Sequence, residues 1–405
     1  MIMEKSKHTA YLTEKNLPKK PWHIFIIWNK SLLKKDQIIN DLKKKFELKT
    51  IFEMTWSQNL FLENIKRFYG ATLPDPEKKL KDCGTGTFLI ILVQDQNPVY
   101  RENGTGLQKK LVNGNIFDAK MTYRKWLGVD FAVHGSNTQQ ETNHDLSLLF
   151  GKSLSEITKN YVSEKNQTIK ISRDLVVTNG WSNFKELFHI LNNSTNYVVL
   201  RNFENLTDPN HLENLKDVDI LTDDFWQISY IVNKKLRKEG ESGPSSYVKV
   251  NNQRIKFDFK TPGDGYYDKK WEEDILKKRR LFQNEFYILD DENYFYSLLY
   301  HMLIHKQKLN KKYIEILCII AKELKIDDFD KIKNQSANLK EFLDKFLHKK
   351  DYTYTNTRTY RLTHNEFTRL STNAIKISRK QGIGKLIRAA KDKLYRNNLV
   401  KSEKI

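Results

Sequence analysis

Asp217 and Asp219 stand one residue apart in the run KDVDIL at 216–221. The apolar neighbours mark a strand, and alternate residues of a strand share a face, so both carboxylates point the same way. Two like charges on one face repel unless a cation sits between them. Magnesium is the natural partner, a hard ion that takes oxygen ligands, and manganese is its equivalent here. A third run, KFDF at 256–259, sets Asp258 between two aromatics that face the other way. Three carboxylates from neighbouring strands make the two-metal cradle of nucleotide chemistry. The plainer alternative is a strand end carrying solvated acids.

A second constellation lies upstream, in FAVHGSNTQQETNHDLSLLF at 131–150. His134 ends an apolar strand, Gly135 and Ser136 open a turn, and Asp145 follows on the next helix. A histidine nucleophile needs one ring nitrogen oriented by a carboxylate so that the other is free to attack phosphorus, and Asp145 is placed to supply it. His301 and His305 are four apart on an apolar helix and share a face. They read either as a metal-binding pair or as core or interface histidines; no HExxH pattern accompanies them. Gly263-Asp264-Gly265 reads as a phosphate-lining loop or as a turn.

The elements that must hold these residues are legible in outline. After a polar arm over 1–20, the apolar run 23–28 reads as a buried strand and 37–46 as a helix. Residues 88–93 and 130–133 read as further strands, and 138–150 as a helix. Strands alternating with helices give an α/β or α+β domain over 21–155. A linker is expected at 156–180. A second domain over 181–310 follows, with helices at 182–191 and 225–235, strands at 197–201 and 218–221, and a hairpin of 247–250 and 254–259 turning on Asn251-Asn252. The apolar stretch 294–304 and residues 311–324 read as helices. A helical, basic C-terminal region fills 311–405.

Composition narrows the function classes. The 405 residues, 39% hydrophobic, hold 22 Phe, 19 Tyr and 7 Trp, which is enough for packed cores. Two cysteines exclude a disulfide framework and a cysteine-rich zinc site. No apolar run approaches the ~18 residues of a membrane span, and the N-terminus lacks a signal-peptide core. The expectation is a cytoplasmic protein, or one peripheral to the inner membrane face. The net charge of +20 points to nucleic acid, nucleotide phosphates or an anionic membrane. Nearly half of it lies in 351–405, with 13 Lys and Arg against 4 Asp and Glu. There Ile383, Leu386, Ile387, Ala390 and Leu394 make the apolar face of a basic helix, suited to an anionic membrane surface, to nucleic acid, or to packing on the body.

Two resemblances follow from these residues. The stretch VLR, a spacer, KDVDIL and the later strand aspartate resembles the nucleotidyltransferase fold of the DNA polymerase beta superfamily over about 190–310, closest to proteins of bacterial surface-polysaccharide loci. That resemblance implies that Asp217 and Asp219 hold metal and that Asp258 is the third ligand or base. The superfamily's Gly-Ser pair before the D-x-D is replaced by Leu200-Arg201-Asn202, where Arg201 is the candidate phosphate clamp. A related subset, the fukutin-like enzymes, transfers phospho-alditols or phosphocholine from CDP carriers to glycans.

The segment HGS followed by a helix with an acid, together with HIFIIWNK, QIINDLKKKF, Phe68-Tyr69 and GTFLII in that order, is similar to nucleoside diphosphate kinases over about 22–151. It implies a ferredoxin-like domain with a phosphate or nucleotide pocket lined by Tyr69, Arg124, His134 and Asp145. Trp28 and Phe131 stand where that family has a lysine and an asparagine.

The expected function is therefore a metal-dependent nucleotidyltransferase or phosphotransferase, taking a nucleotide or nucleotide-linked donor and a glycan or phosphorylated acceptor in capsule or lipopolysaccharide biosynthesis. The alternatives are a nucleoside-diphosphate-kinase-like phosphotransferase using His134, and a non-catalytic nucleic-acid-binding or toxin–antitoxin-type protein.

Overall fold

The run at 23–28 lacks polar alternation because its strand is buried on both faces. In the computed structural model, which describes residues 17–73, 75–104, 110–162, 168–208, 210, 215, 217–236, 246–327 and 329–355, the protein is a mixed α and β chain. It divides into two units, Met1–Tyr69 with Asp75–Thr178, and Gly70–Pro74 with Asn179–Ile405.

The first unit runs β1 (Trp22–Ile27), α1 (Lys35–Lys45), β2 (Glu47–Thr55), α2 (Phe61–Tyr69), α3 (Pro76–Cys83), β3 (Phe88–Gln94), β4 (Tyr100–Asn103), β5 (Lys110–Asn113), α4 (Gly114–Leu127), β6 (Val133–Gly135), α5 (Gln139–Phe150), α6 (Leu154–Tyr161) and β7 (Thr168–Ser172). Its five-stranded sheet has the order β6-β1-β3-β2-β7. β1 is antiparallel to both neighbours, with Ile26 opposite Ile90 on one side and His134 on the other. On one sheet face Phe25, Ile27, Leu89 and Ile91 pack against Ile38 and Leu42 of α1 and Ile116 and Tyr123 of α4. On the other, Trp28, Trp56, Phe61 and Phe88 form an aromatic cluster. Truncating one such buried ring, as in Phe88→Ala, costs about 3–5 kcal/mol.

The expected linker at 156–180 is corrected by the structure. Residues 154–161 form α6, and 168–172 form β7, which pairs parallel to β2 with Phe52 opposite Ile169. The alternation T-I-K-I-S is a half-exposed strand pattern, but with only two apolar residues inside a polar stretch it is a short signal.

The second unit runs α7 (Phe184–Ser194), β8 (Tyr197–Val199), β9 (Asp217–Thr222), α8 (Phe225–Ile231), β10 (Lys235–Leu236), β11 (Ser246–Val250), β12 (Gln253–Lys260), α9 (Lys269–Lys278), β13 (Arg280–Phe282), β14 (Phe286–Ile288), α10 (Asp291–Tyr300), α11 (Lys311–Glu323), α12 (Phe329–Ile332) and α13 (Ser336–Lys350). Its sheet order is β10-β11-β12-β9-β8-β14-β13. β8 and β9 are antiparallel, and β9 and β12 are parallel. The β11–β12 hairpin turns on Asn251 and Asn252, with φ of 45° and 62°. Asparagine tolerates this left-handed pair, which a two-residue hairpin requires. Residues 311–350 expected to lie apart are helices of this same unit. The basic helix at 383–396 lies outside the described residues. No described helix is long and apolar enough to cross a membrane.

Candidate functional site

The parallel pairing of β9 with β12 sets Asp258 directly opposite Asp219. Phe257 and Phe259 are buried in the sheet's other face, which turns Asp258 to the side of Asp217 and Asp219. The three sequence-derived carboxylates therefore meet at one cavity. It measures about 320 Å³, and its walls include Arg201, Lys256, Lys260 and Lys306 alongside the acids.

Each charge has a specific setting. Arg201 Nη2 lies 2.9 Å from Asp219 Oδ2, and both side chains are more than nine-tenths buried. Arg201 follows β8, where the chain turns over β9, so the antiparallel pairing delivers the guanidinium to the aspartate. Lys260, 2% exposed, places Nζ 3.2 Å from Asp258 Oδ2, and the exposed Lys256 reaches the same oxygen at 3.4 Å. Asp217 has Lys256 at 4.0 Å. Burial, and then the neighbouring Asp219, raise the Asp217 carboxyl above its usual range. Lys234 sits over the Phe225 and Phe259 rings, and burial pulls its ammonium down to about 8.

His301 and His305 resolve as cavity residues. His301 Nδ1 meets the Tyr266 hydroxyl at 3.2 Å, and His305 Nε2 donates to the Tyr266 carbonyl at 2.9 Å. Burial, with Arg201 nearby, holds them down at about 2 and about 3, so both imidazoles are neutral. They stand on a wider, π-type turn over His301–Lys306 that continues α10. Such turns are frequent at functional sites. Tyr266, Lys260 and Lys306 were not singled out from sequence. Only Lys260 had a sequence signal, two residues after Asp258 in the same strand and so on its face. Gly263-Asp264-Gly265 is a turn; Asp264 accepts from Thr261 and Tyr266 backbone N–H groups.

The first unit gathers its own set. His134 Nε2 is 2.8 Å from Asp145 Oδ2, with the Phe68 and Tyr69 rings each 5.5 Å from the imidazole. Arg124 Nε donates to the Val133 carbonyl. So Tyr69, Arg124, His134 and Asp145 do come together. What sequence reasoning missed is Lys79. It is 1% exposed, donates to the Phe131 carbonyl and lies 4.5 Å from the Tyr69 ring centre. Burial lowers its ammonium to about 8 and drives the His134 imidazolium well below its ordinary value. Trp28 is fully buried, and His134 is 7% exposed. Aromatic rings occupy much of the volume beside this histidine.

Compared with protein-family models, curated proteins and solved structures, the chain matches none. Its chemistry is read from its own geometry.

Proposed function

We propose that the second unit is a metal-dependent nucleotidyltransferase or phosphotransferase domain, with its donor phosphates in the cavity above β9 and β12. One observation carries this reading: three carboxylates from adjacent parallel strands share a cavity with four cationic side chains. A purely solvated acidic strand end has no need of a buried Arg201 or a buried Lys260. The order β8, β9, β12 around the acids, with β8 antiparallel and β12 parallel, supports a nucleotidyltransferase-type arrangement.

The donor set fits a hard divalent ion. Asp217 and Asp219 are all-oxygen ligands on one face, and burial together with the neighbouring Asp219 disfavours a bare charge on Asp217. Asp217 and Asp219, with Asp258, would hold Mg²⁺ or Mn²⁺, which supplies neutralisation of phosphate charge when bound. The chain's own groups do the rest. Lys260 and Lys306 bind phosphate oxygens. Arg201 fixes Asp219. The neutral His301 and His305 wall the cavity and exclude water. Asp258, released from Lys256 or Lys260 by an arriving phosphate, accepts the proton of the acceptor hydroxyl. Bacterial surface-polysaccharide assembly, at the cytoplasmic side of a membrane, is the setting this reading favours.

A thermal-shift and calorimetric screen of nucleoside diphosphates and nucleotide-linked sugars, with and without Mg²⁺, tests it. The expected result is stabilisation that needs both nucleotide and metal. Binding that ignores Mg²⁺ and falls steeply with salt would favour the nucleic-acid alternative.

The first unit carries a second reading. The antiparallel order β6-β1-β3-β2 within its five-stranded sheet supports a ferredoxin-like reading, and the Tyr69–His134–Asp145 grouping supports kinase-like ancestry. Phosphotransfer through His134 is nevertheless not expected from a histidine closed in by Phe68 and Tyr69. Incubation with a nucleoside triphosphate labelled at its γ-phosphate should leave no acid-labile, base-stable label. A label lost in His134→Ala would move the chemistry to this unit.

A further inference from the structure

A side-chain cluster in the first unit has a chemistry that phosphate binding does not use. Thr138 caps α5 by accepting from the Glu141 backbone N–H, which fixes Glu141 in the first turn. Asp145 follows one turn later, so the two carboxylates share a helix face. β6 delivers His134 against that face. One ligand atom from each of His134, Glu141 and Asp145 lies within 4.8 Å of the others. Beside them is His144, 8% exposed. Its Nδ1 is buried without a hydrogen-bond partner and stands 3.7 Å from Asp145 Oδ1.

Both features are unfavourable as they stand. A buried imidazole nitrogen that has lost water and gained no partner is destabilising. Two carboxylates a turn apart repel, most of all away from water. The ammonium of Lys120 is close, but it donates to the Gly135 carbonyl and to Asn137 Oδ1. Glu141 spends one oxygen on the Asn137 backbone N–H at 2.6 Å. A divalent cation bound between helix and strand removes both penalties at once.

We propose that His134, Glu141, His144 and Asp145 form a site for one zinc-type divalent cation. Two imidazole nitrogens with two carboxylate oxygens are a borderline donor set, suited to a tetrahedral ion at about 2.0–2.2 Å. Such an ion spaces its ligands at about 3.3–3.5 Å. The 2.8 Å contact between His134 and Asp145 therefore opens by about half an ångström, while the other ligands draw in. Seating the ion releases the proton the two share, so binding weakens as pH falls. Mg²⁺, which demands oxygen ligands and keeps its waters, binds here poorly. The site ties β6 to α5 and is independent of the transferase reading of the second unit.

The test uses the full chain, stripped with a chelator and titrated with Zn²⁺ against a chromophoric competitor, and with Co²⁺ as a spectroscopic probe. Wild type should bind one Zn²⁺ at this site and show the intense visible absorption of tetrahedral Co²⁺. His144→Gln and Asp145→Asn should each weaken Zn²⁺ at least tenfold, and Asp217→Asn should leave this binding unchanged. Unaltered affinity in both His144→Gln and Asp145→Asn overturns the proposal. If a variant does not fold, the wild-type spectrum still decides: no Co²⁺ bound, or only a weakly absorbing octahedral ion, overturns it too.

Discussion

The two acids of the D-x-D run are chemically unequal, although the sequence presents them as a matched pair. Asp219 is locked to Arg201 in a buried ion pair, while Asp217 is partly exposed and repelled by its neighbour. Removing their mutual repulsion by a double substitution would read, from sequence alone, as stabilising. The pairing reverses that for one of them. Asp219→Asn should destabilise the unit by about 3–5 kcal/mol, because it strands a buried guanidinium. Asp217→Asn should be neutral or stabilising by less than about 1 kcal/mol, since solvent screens its partly exposed charge. Both should abolish Mg²⁺-dependent nucleotide stabilisation. Urea titrations of the single mutants separate the two effects, and equal stability changes would contradict the pairing.

At the level of strands and helices, legibility followed burial pattern. β1, β3, β9 and α5 were readable because continuous or periodic apolar residues mark elements buried on a defined face. The Asn251-Asn252 hairpin was readable from turn chemistry alone. β2, nine residues of mixed exposure, and α4, whose charges sit among its apolar positions, were not singled out. Their identity is settled by pairing with β3 and packing on β1, which are tertiary facts. The site divides in the same way. Carboxylates in strand register announce themselves, whereas Lys79, Lys260 and Tyr266 gain meaning only from what folds over them. One prediction belongs here. β6 pairs with β1 with Gly135 opposite Phe25, and a Cβ on Gly135 would lie 3.1 Å from Phe25 Cε1. Phe25 is itself held by Phe46 and Tyr123. Gly135→Ala should therefore cost about 1–3 kcal/mol by overpacking. It should also shift the His134 imidazole proton resonances; an unchanged melting temperature would refute the close approach.

For the molecule as a whole, acid is the informative perturbation. His23 is fully buried, its Nδ1–H donating to the Ser136 carbonyl at 2.7 Å and its Nε2 accepting from Asn113. Burial holds it down at about 4 from 6.5. Between these values the unfolded chain binds a proton that the folded chain refuses. The contribution is thus complete above 6.5 and is lost as pH falls towards 4, by about 3 kcal/mol in all. The raised carboxyls of Asp145 and Glu141 act in the opposite sense. The measurement is therefore a difference: stability of wild type minus His23→Gln, followed by denaturant titration from pH 7 to 4.5. That difference should shrink on acidification, and a constant value would show that His23 takes up its proton as readily in the fold as in the unfolded chain.

The π-type turn at 301–306 has a further meaning as a matter of chain length. A wider turn takes up one more residue per hydrogen-bonded loop than an α-helical one, and here the Gln307 N–H reaches back to Met302. The segment is thus a helix with one residue in surplus, accommodated where the cavity wall begins. Deleting Leu303 should let α10 continue as a plain helix while rotating everything after it by about 100°. His305 and Lys306 would swing off the wall, and the buried Ile314 and Leu317 of α11 would have to find new seats. The one surplus residue thus sets the phase of the wall, and with it whether His305 and Lys306 face the acids.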